Sequence, residues 1–216
     1  MKVIDLTQKI CNDMPVFSEE ELPGLKVKKT VNKDGYMLTD INIYSHNGTH
    51  MDAPAHVIEG GLTLDKMDID RFMGSAFVIN CTDLISDKDR IITLNHILKY
   101  KDKADKAEFI LFYTGYSHKW GERGYLFNCP VLSEEASDYI IQSGKKGVGV
   151  DLMSLDHMDS ETLPIHKKLL KNDILIIENL NNLNEIEGQL VEFAALPLKF
   201  ENADGAPVRA IARILI

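Results

Sequence analysis

The chain has few cysteines, and their arrangement excludes two common kinds of structural site. Only Cys11, Cys81 and Cys129 are present among 216 residues, an odd number with no short spacing between them. A disulfide framework needs pairs of cysteines, and a thiolate zinc site needs clustered ones. We therefore expect reduced thiols and a cytoplasmic location.

Positive charge and long apolar runs are also scarce. Lys and Arg together number 24 against 33 Asp and Glu, which gives a formal net charge of −9. Proteins that bind nucleic acids usually present a basic patch, so this balance argues against a nucleic-acid partner. No apolar run is long enough to span a bilayer, and the first residues lack the core of a signal peptide. We therefore expect no membrane partner.

Patterns typical of buried strands alternate with helical patterns through the middle of the chain. Strands are predicted at 75–82, 108–114, 147–151 and 174–178, and helices at 93–103, 133–143 and 164–170. Alternation of this kind is typical of βαβ units. Two predicted hairpins flank them, one over 25–44 with its turn at 32–35 and one over 190–216 with its turn at 202–205. The sequence thus predicts a single α/β domain over residues 1–216, with a mixed sheet and antiparallel hairpins.

The stretch 45–56 contains three of the seven histidines and a carboxylate. In an extended backbone alternate side chains share a face, so His50, Asp52, Pro54 and His56 are predicted to lie together. Because proline has no N–H, Pro54 predicts that the segment lies away from the centre of a sheet.

The same stretch begins with a turn signal, Asn47-Gly48, which would fold His46 back over His50. Imidazole and carboxylate without thiolate form a ligand set for Zn²⁺ or another first-row divalent ion. The alternative is a polar loop with solvated histidines. We prefer the metal site, because four such residues spaced to share one face, next to a turn that gathers them, are unlikely to occur by chance in a polar loop.

Two later residues are also candidates. Glu178 ends an apolar strand, and active-site groups of α/β proteins gather at the carboxyl ends of strands. His166 lies on a predicted helix beside Lys167 and Lys168. From the residues alone, Glu178 could equally be a solvated strand end, and the neighbouring lysines favour a surface position for His166.

The pattern His46-x-Gly48-Thr49-His50-x-Asp52-x-Pro54-x-His56 resembles the signature of the cyclase family of metal-dependent hydrolases, which includes kynurenine formamidases and isatin hydrolases. The resemblance extends over essentially the whole chain. It includes His166 with Glu178 twelve residues on, and three further segments: Gly149-Val150-Asp151 with Ser154-Leu155-Asp156, Leu196-Pro197-Leu198-Lys199, and Asp204-Gly205-Ala206-Pro207-Val208-Arg209-Ala210.

The resemblance implies a swivelling β/β/α fold, a homodimer and two divalent ions, Zn²⁺ or Mn²⁺. It adds His166 and Glu178 as ligands of a second ion, beside His46, His50 and Asp52, with the carboxylates of Asp52 and Glu178 bridging the pair. It also makes His56 the general acid/base, a choice that spacing alone leaves open between ligand and proton carrier.

The implied activity is hydrolysis of a C–N bond other than a peptide bond, in an aryl formamide, amide or cyclic amide of small size. Metal-bound hydroxide would attack the carbonyl, because a divalent ion lowers the pKa of its water from 15.7 to roughly 7. His56 would protonate the departing nitrogen. The alternative function is a non-catalytic metal- or small-ligand-binding protein on the same scaffold.

One departure from the family pattern concerns the substrate. In the formamidases a Pro-Val pair near the N-terminus precedes Trp-Pro-Gly-Asp, whose Trp helps to hold the aromatic substrate. Here Pro15-Val16 precedes Phe17-Ser18-Glu19-Glu20. Phe17 could bind the substrate ring or anchor its loop in the core, and the lone tryptophan, Trp120, could line the pocket instead.

Overall fold

The computed structural model describes residues 2–86 and 88–214, and its frame is one mixed sheet of eight strands with two small two-stranded sheets. The strands are β1 (Lys2–Asp5), β2 (Gly24–Lys29), β3 (Leu38–Asn42), β4 (His50–Asp52), β5 (Met73–Asn80), β6 (Ile91–Ile92), β7 (Phe109–Tyr113), β8 (Val131–Leu132), β9 (Gly147–Val150), β10 (Leu175–Glu178), β11 (Leu190–Pro197) and β12 (Gly205–Ile214). The helices are α1 (Val31–Asp34), α2 (Leu94–Leu98), α3 (Lys101–Ala104), α4 (Glu134–Gln142) and α5 (Pro164–Leu170).

The large sheet closes on itself. Its order is β1-β12-β11-β5-β7-β9-β10-β4, and β4 pairs with β12 as well as with β10. Strands β5, β7, β9 and β10 run parallel to one another, and every pairing in the sheet that involves β1, β11, β12 or β4 is antiparallel. The predicted α/β class with a mixed sheet and antiparallel hairpins is confirmed. The closure itself was not predicted, because it depends on a strand of only three residues.

Hydrophobic residues cover both faces of the parallel strands. Phe77 and Ile79 of β5 pack on the face that α2, α4 and α5 cover, whereas Ala76 and Val78 belong to a second cluster on the opposite face. All five residues of β7 are buried. Strands buried on both faces read as continuous apolar runs, which is why the sequence signals for β5, β7 and β10 are clear.

The segment that follows β4 corrects the predicted geometry of the histidine stretch. The strand is only His50–Asp52, and it is hydrogen-bonded on both sides, between β10 and β12. Pro54–His56 is instead a 3₁₀ turn. The prediction that Pro54 keeps this segment out of the middle of a sheet is wrong. Pro54 comes two residues after the strand and opens the turn, where no N–H is required.

Two other predicted elements differ in detail. The predicted helix over 93–103 is two short helices, α2 and α3, and Tyr100 between them packs its ring against Phe77. The turn between β2 and β3 is a helical turn, α1, closed by Gly35 at a φ of 79°. The strand predicted to run to residue 216 begins at Gly205; residues 215 and 216 lie outside the described part. In the described residues, no helix combines the length and apolar character needed to cross a bilayer.

Candidate metal centre

The turn before β4 brings two histidine rings together. Gly48 has a φ of 67°, a left-handed conformation that favours glycine. The side chain of Asn47 accepts a hydrogen bond from the backbone N–H of Tyr44 at 2.9 Å and so closes the turn. As a result the rings of His46 and His50 meet edge-on, with their centroids 5.1 Å apart.

Asp52 lies at the centre of the cluster and is buried. Its Oδ1 is 2.8 Å from Nδ1 of His46 and 3.4 Å from Nε2 of His50. Its Oδ2 is 3.6 Å from Nε2 of His166. This second oxygen is buried and has no hydrogen-bond partner. A buried, unsatisfied carboxylate oxygen costs free energy unless a cation or donor compensates it.

Glu178 completes the cluster from the neighbouring strand. It ends β10 directly opposite His50 of β4, with 3.4 Å between its Oε2 and the Nε2 of that histidine. Its Oε1 lies 3.2 Å from Nε2 of His166 and accepts the backbone N–H of Leu155 at 3.2 Å. Both His166 and Glu178 are buried, so neither is the solvated surface group that sequence reasoning also allowed.

Each of the three histidines has one ring nitrogen facing this centre and the other facing an acceptor outside it. Nδ1 of His50 pairs with the carbonyl of Gly48 at 2.9 Å. Nδ1 of His166 pairs with Asp156 at 2.7 Å, and Nε2 of His46 pairs with Asp204 at 3.0 Å. Such outer acceptors hold the proton on the outward nitrogen and leave the inward lone pair free for a metal ion.

Sequence reasoning did not single out Asp156 and Asp204, which contact the candidate ligands His166 and His46. Both lie in segments that matched the family pattern, but nothing in their spacing connects them to a histidine. Asp156 also accepts the backbone N–H groups of Ile165 and His166 in the first turn of α5. It therefore fixes both the helix and the ring that the helix carries.

The electrostatics of the cluster favour positive charge. Burial opposes protonation of all three rings, but hydrogen bonds to carboxylates outweigh it. They raise the pKa of His46 to about 9 and the pKa values of His50 and His166 to about 10. Burial favours a neutral Asp52, yet its bonds to the histidines hold its pKa well below the ordinary value. In the metal-free protein, protons on the rings thus supply the positive charge that the buried carboxylates require.

The donor set fits divalent metal ions. The inward nitrogen and oxygen atoms form two triads, His46–His50–Asp52 and Asp52–His166–Glu178, and within each the donor atoms lie within 4.8 Å of one another. Ligand bonds of 2.0–2.1 Å place neighbouring tetrahedral ligands about 3.4 Å apart, close to the 2.8–3.6 Å separations between these donors. Imidazole and carboxylate suit Zn²⁺ and Mn²⁺ alike.

His56 lies beside the cluster rather than within it. Its ring centroid is 4.1 Å from that of His46 and 6.2 Å from that of His166. Its Nδ1 is 3.8 Å from Oδ2 of Asp204, beyond hydrogen-bonding distance. Burial lowers the pKa of His56, so its ring is neutral at pH 7 and can accept a proton.

A cavity of about 330 Å³ opens over these side chains. Its wall is formed by Phe17, Glu21, Tyr44, Ser45, His46, His50, Asp52, His56, Met153, Ser154, Ser160, Glu161, Leu163, His166 and Glu178. Phe17 is 59% exposed, which excludes its alternative role as a core anchor. Trp120 is not part of this wall; it packs edge-on against the buried Tyr125.

Comparisons with known proteins give a consistent result. The model of the Cyclase family matches residues 4–157. An uncharacterized protein of Methanocaldococcus jannaschii is 33% identical, over 98% of this chain and 99% of its own length. A kynurenine formamidase of Geobacillus thermodenitrificans is 29% identical, over 97% of this chain and 96% of its own length.

Solved structures agree with the sequence matches. A protein named as a predicted metal-dependent hydrolase, from Bacillus stearothermophilus, superposes with a TM-score of 0.80 at 29% identity, covering 98% of this chain and 97% of that one. Isatin hydrolase A of Ralstonia solanacearum superposes with a TM-score of 0.86 at 22% identity, covering 98% of this chain and 91% of that one. At that identity, the second match establishes the shared fold alone.

Proposed function

The chain belongs to the Cyclase family of metal-dependent hydrolases, and from that premise we propose that it hydrolyses the carbon–nitrogen bond of an aryl formamide, amide or cyclic amide. The observation that carries the proposal is the buried Oδ2 of Asp52. This oxygen has no hydrogen-bond partner, although three inward-facing imidazole nitrogens surround the carboxylate. Such an arrangement is costly in a merely structural core and useful in a site that holds cations.

The roles of the side chains follow from their positions. His46, His50 and Asp52 would hold one divalent ion, and Asp52, His166 and Glu178 a second. Bound there, the ions would polarise the scissile carbonyl and acidify water near neutral pH. His56 borders the cavity with a neutral ring, so it can take a proton from water and give it to the departing nitrogen.

The wall of the cavity supports a small, uncharged aromatic substrate. Phe17 offers an exposed ring face at the cavity, in the position of the missing Trp-Pro-Gly run. Among the described residues that form the wall, none is lysine or arginine, and Glu21 and Glu161 contribute acidic groups. A carboxylate on the far end of a substrate would find no cationic partner among these described residues. N-Formylkynurenine carries such a carboxylate beside an ammonium group, and Phe17 stands here in place of the formamidases' Trp, so we propose that it is not the best substrate.

A substrate panel tests the proposal. Metal-loaded protein is assayed on formanilide, isatin, N-formylkynurenine and an acetylated peptide, and formation of the amine or acid is followed by chromatography. We expect turnover of a neutral aryl amide or lactam at a higher kcat/KM than N-formylkynurenine, and no turnover of the peptide. N-Formylkynurenine as the best substrate would overturn the proposed specificity, and no turnover of any aryl amide would overturn the proposed reaction.

A non-catalytic metal- or ligand-binding protein is the second candidate function. Only the altered N-terminal segment favours it. A storage site has no use for a neutral histidine beside the metal ligands and a cavity over them, so this candidate predicts tight metal binding with no turnover on the same panel.

We also propose that the protein is a cytoplasmic homodimer. Strands β2 and β3 with α1 form a hairpin whose large apolar side chains are mostly exposed: Val27, Val31, Met37, Leu38 and Ile41 are all at least half exposed. Exposed apolar patches of this kind typically mark contact surfaces. Light scattering of the purified chain tests the dimer, and a mass of one chain would overturn it.

The proposed cytoplasmic location is supported by the three cysteines, which are unpaired, as is typical of proteins in a reducing compartment.

A further inference from the structure

We propose that Asp204 is a positioning residue of the metal centre: its carboxylate, delivered by the turn before β12, orients the ligand His46 and the proton carrier His56 together. The part concerning His56 rests on the proposed function. The part concerning His46 rests only on metal binding.

The turn that carries Asp204 is fastened to the ligand strand. Gly205 is paired with Asp52 in the antiparallel ladder between β12 and β4. The backbone carbonyl of Asp204 accepts the N–H of Ala53 at 2.9 Å. Residues about 150 positions apart in sequence are therefore held in fixed register, and the carboxylate of Asp204 has a defined place beside the histidines.

Gly205 leaves the space that His46 occupies. A Cβ on Gly205 would lie 2.5 Å from Cε1 of His46 and 2.9 Å from its Nε2. Those distances are too short for any side chain, so the imidazole packs directly on the backbone of Gly205. The ring of His46 therefore has little freedom to rotate. It contacts the backbone on one side, and its two nitrogens face the carboxylates of Asp204 and Asp52.

Asp204 determines which nitrogen of His46 is available to an ion. Its Oδ2 is 3.0 Å from Nε2 of His46, while Nδ1 faces Asp52. With the proton held on Nε2, the lone pair of Nδ1 points toward the centre. This is the carboxylate–histidine arrangement that tunes metal ligands, and Asp156 supplies the same arrangement to His166.

The same oxygen also lies close to His56. Oδ2 of Asp204 lies 3.8 Å from Nδ1 of His56, whose ring is stacked near that of His46. Shortening this distance by about 1 Å would form a hydrogen bond. Such a bond would fix the proton on Nδ1 and leave Nε2 of His56 as the nitrogen that exchanges protons with substrate and water.

The three side chains could alternatively hold an ion of their own, since His46, His56 and Asp204 each offer a ligand atom within 4.8 Å of the others. Asp204 is partly exposed and its oxygen already has a partner, unlike the unpartnered oxygen of Asp52. We therefore favour the positioning role, and the number of bound ions decides between the two.

The test compares Asp204→Ala, Asp204→Asn and Gly205→Ala with Asp65→Asn as the matched control. Asp65 accepts the backbone N–H of Ala203, next to Asp204, and it contacts no histidine in the described part of the chain. Zinc affinity of each apo protein is measured by competition with a chromophoric chelator, and circular dichroism verifies folding. We expect Asp204→Ala to weaken zinc binding about 10–100-fold, with Asp204→Asn weakened less, because its amide oxygen still accepts from Nε2 of His46. Gly205→Ala should also weaken binding, and the control should match wild type.

Two further measurements complete the test. Titration with zinc should saturate at the wild-type number of ions in Asp204→Ala; one ion fewer would show that Asp204 is a ligand and overturn the positioning role. At saturating zinc, Asp204→Ala should lose kcat on an aryl amide but little on an activated aryl ester. Unchanged affinity in Asp204→Ala would overturn the inference. Absence of amide turnover in wild type would overturn the proposed reaction and leave the affinity result to stand alone.

Discussion

Glu178 and His50 are direct partners across β10 and β4, with 3.4 Å between Oε2 and Nε2. The pairing joins two halves of the chain, because β4 belongs to the N-terminal histidine stretch and β10 to the last βαβ unit. A strand of three residues thus carries two candidate ligands, His50 and Asp52, and is locked between β10 and β12. The pairing of β4 with β10 and β12 therefore both closes the sheet and brings the candidate ligands together.

Removal of Asp52 should abolish metal binding and activity together. Both triads share this carboxylate, so Asp52→Ala leaves neither with three ligands. We expect fewer than one ion per chain by elemental analysis, and hydrolysis at the rate of buffer. Asp102→Ala, which removes an exposed carboxylate from α3, serves as the control. Full metal content in Asp52→Ala would refute the assignment of this centre.

Much of this arrangement could be predicted from the sequence, and the limits have physical causes. Strand β7 is apolar throughout, and β5 has four consecutive buried apolar residues at 76–79, so their signals are recognisable without tertiary context. His50 and Asp52 were identifiable because a local motif contains both. Asp204 was not, because its contact with His46 spans 158 positions and exists only after β12 pairs with β4.

The geometry around Pro54 was mispredicted for a related reason. Spacing by two residues predicts a shared face only while the backbone stays extended, and here the extended backbone ends before the turn that begins at Pro54. His56 still borders the cavity, but a 3₁₀ turn brings it there. Likewise, the lysines beside His166 suggested a surface position, whereas the ring itself faces inward from α5 and is buried.

The second ion site should depend on His166 and leave the first intact. Zinc titration of apo protein is expected to saturate at two ions per chain in wild type and at one in His166→Ala, because His46, His50 and Asp52 remain. The control is His157→Ala, since His157 is exposed and outside the cavity wall. Saturation at one ion in wild type, unaltered by His166→Ala, would show that only one site exists.

The metal-free protein should lose stability as the pH rises above about 6.5. The pKa values of His46, His50 and His166 are raised to about 9–10 in the folded chain, against about 6.5 when unfolded. Their protonation therefore stabilises the fold fully below pH 6.5, and this contribution declines as the pH rises toward 9–10.

Calorimetry between pH 6.5 and 7.5 checks this expectation, a window that ends about one pH unit below the ordinary thiol pKa of about 8.5. A loss of at least about 1 kcal/mol per pH unit would lower Tm by about 2–4 °C in a chain of this size. Bound zinc occupies the same nitrogens, so the Tm of the zinc-loaded protein should change much less with pH. An equal dependence of Tm on pH with and without zinc would contradict the proposed ligand set.

His56 should supply a proton rather than a ligand. It lies outside both ligand triads, borders the cavity and has a neutral ring. An amide nitrogen is a poor leaving group unless it is protonated, and general acid–base catalysis typically contributes about 10²–10⁴-fold. We expect His56→Ala to lose that much activity on an aryl amide while it keeps the wild-type number of bound zinc ions. On an activated aryl ester, whose leaving group departs without a proton, the loss should be far smaller. Equal losses on both substrates would make His56 a structural residue, and loss of an ion would make it a ligand held with His46 and Asp204.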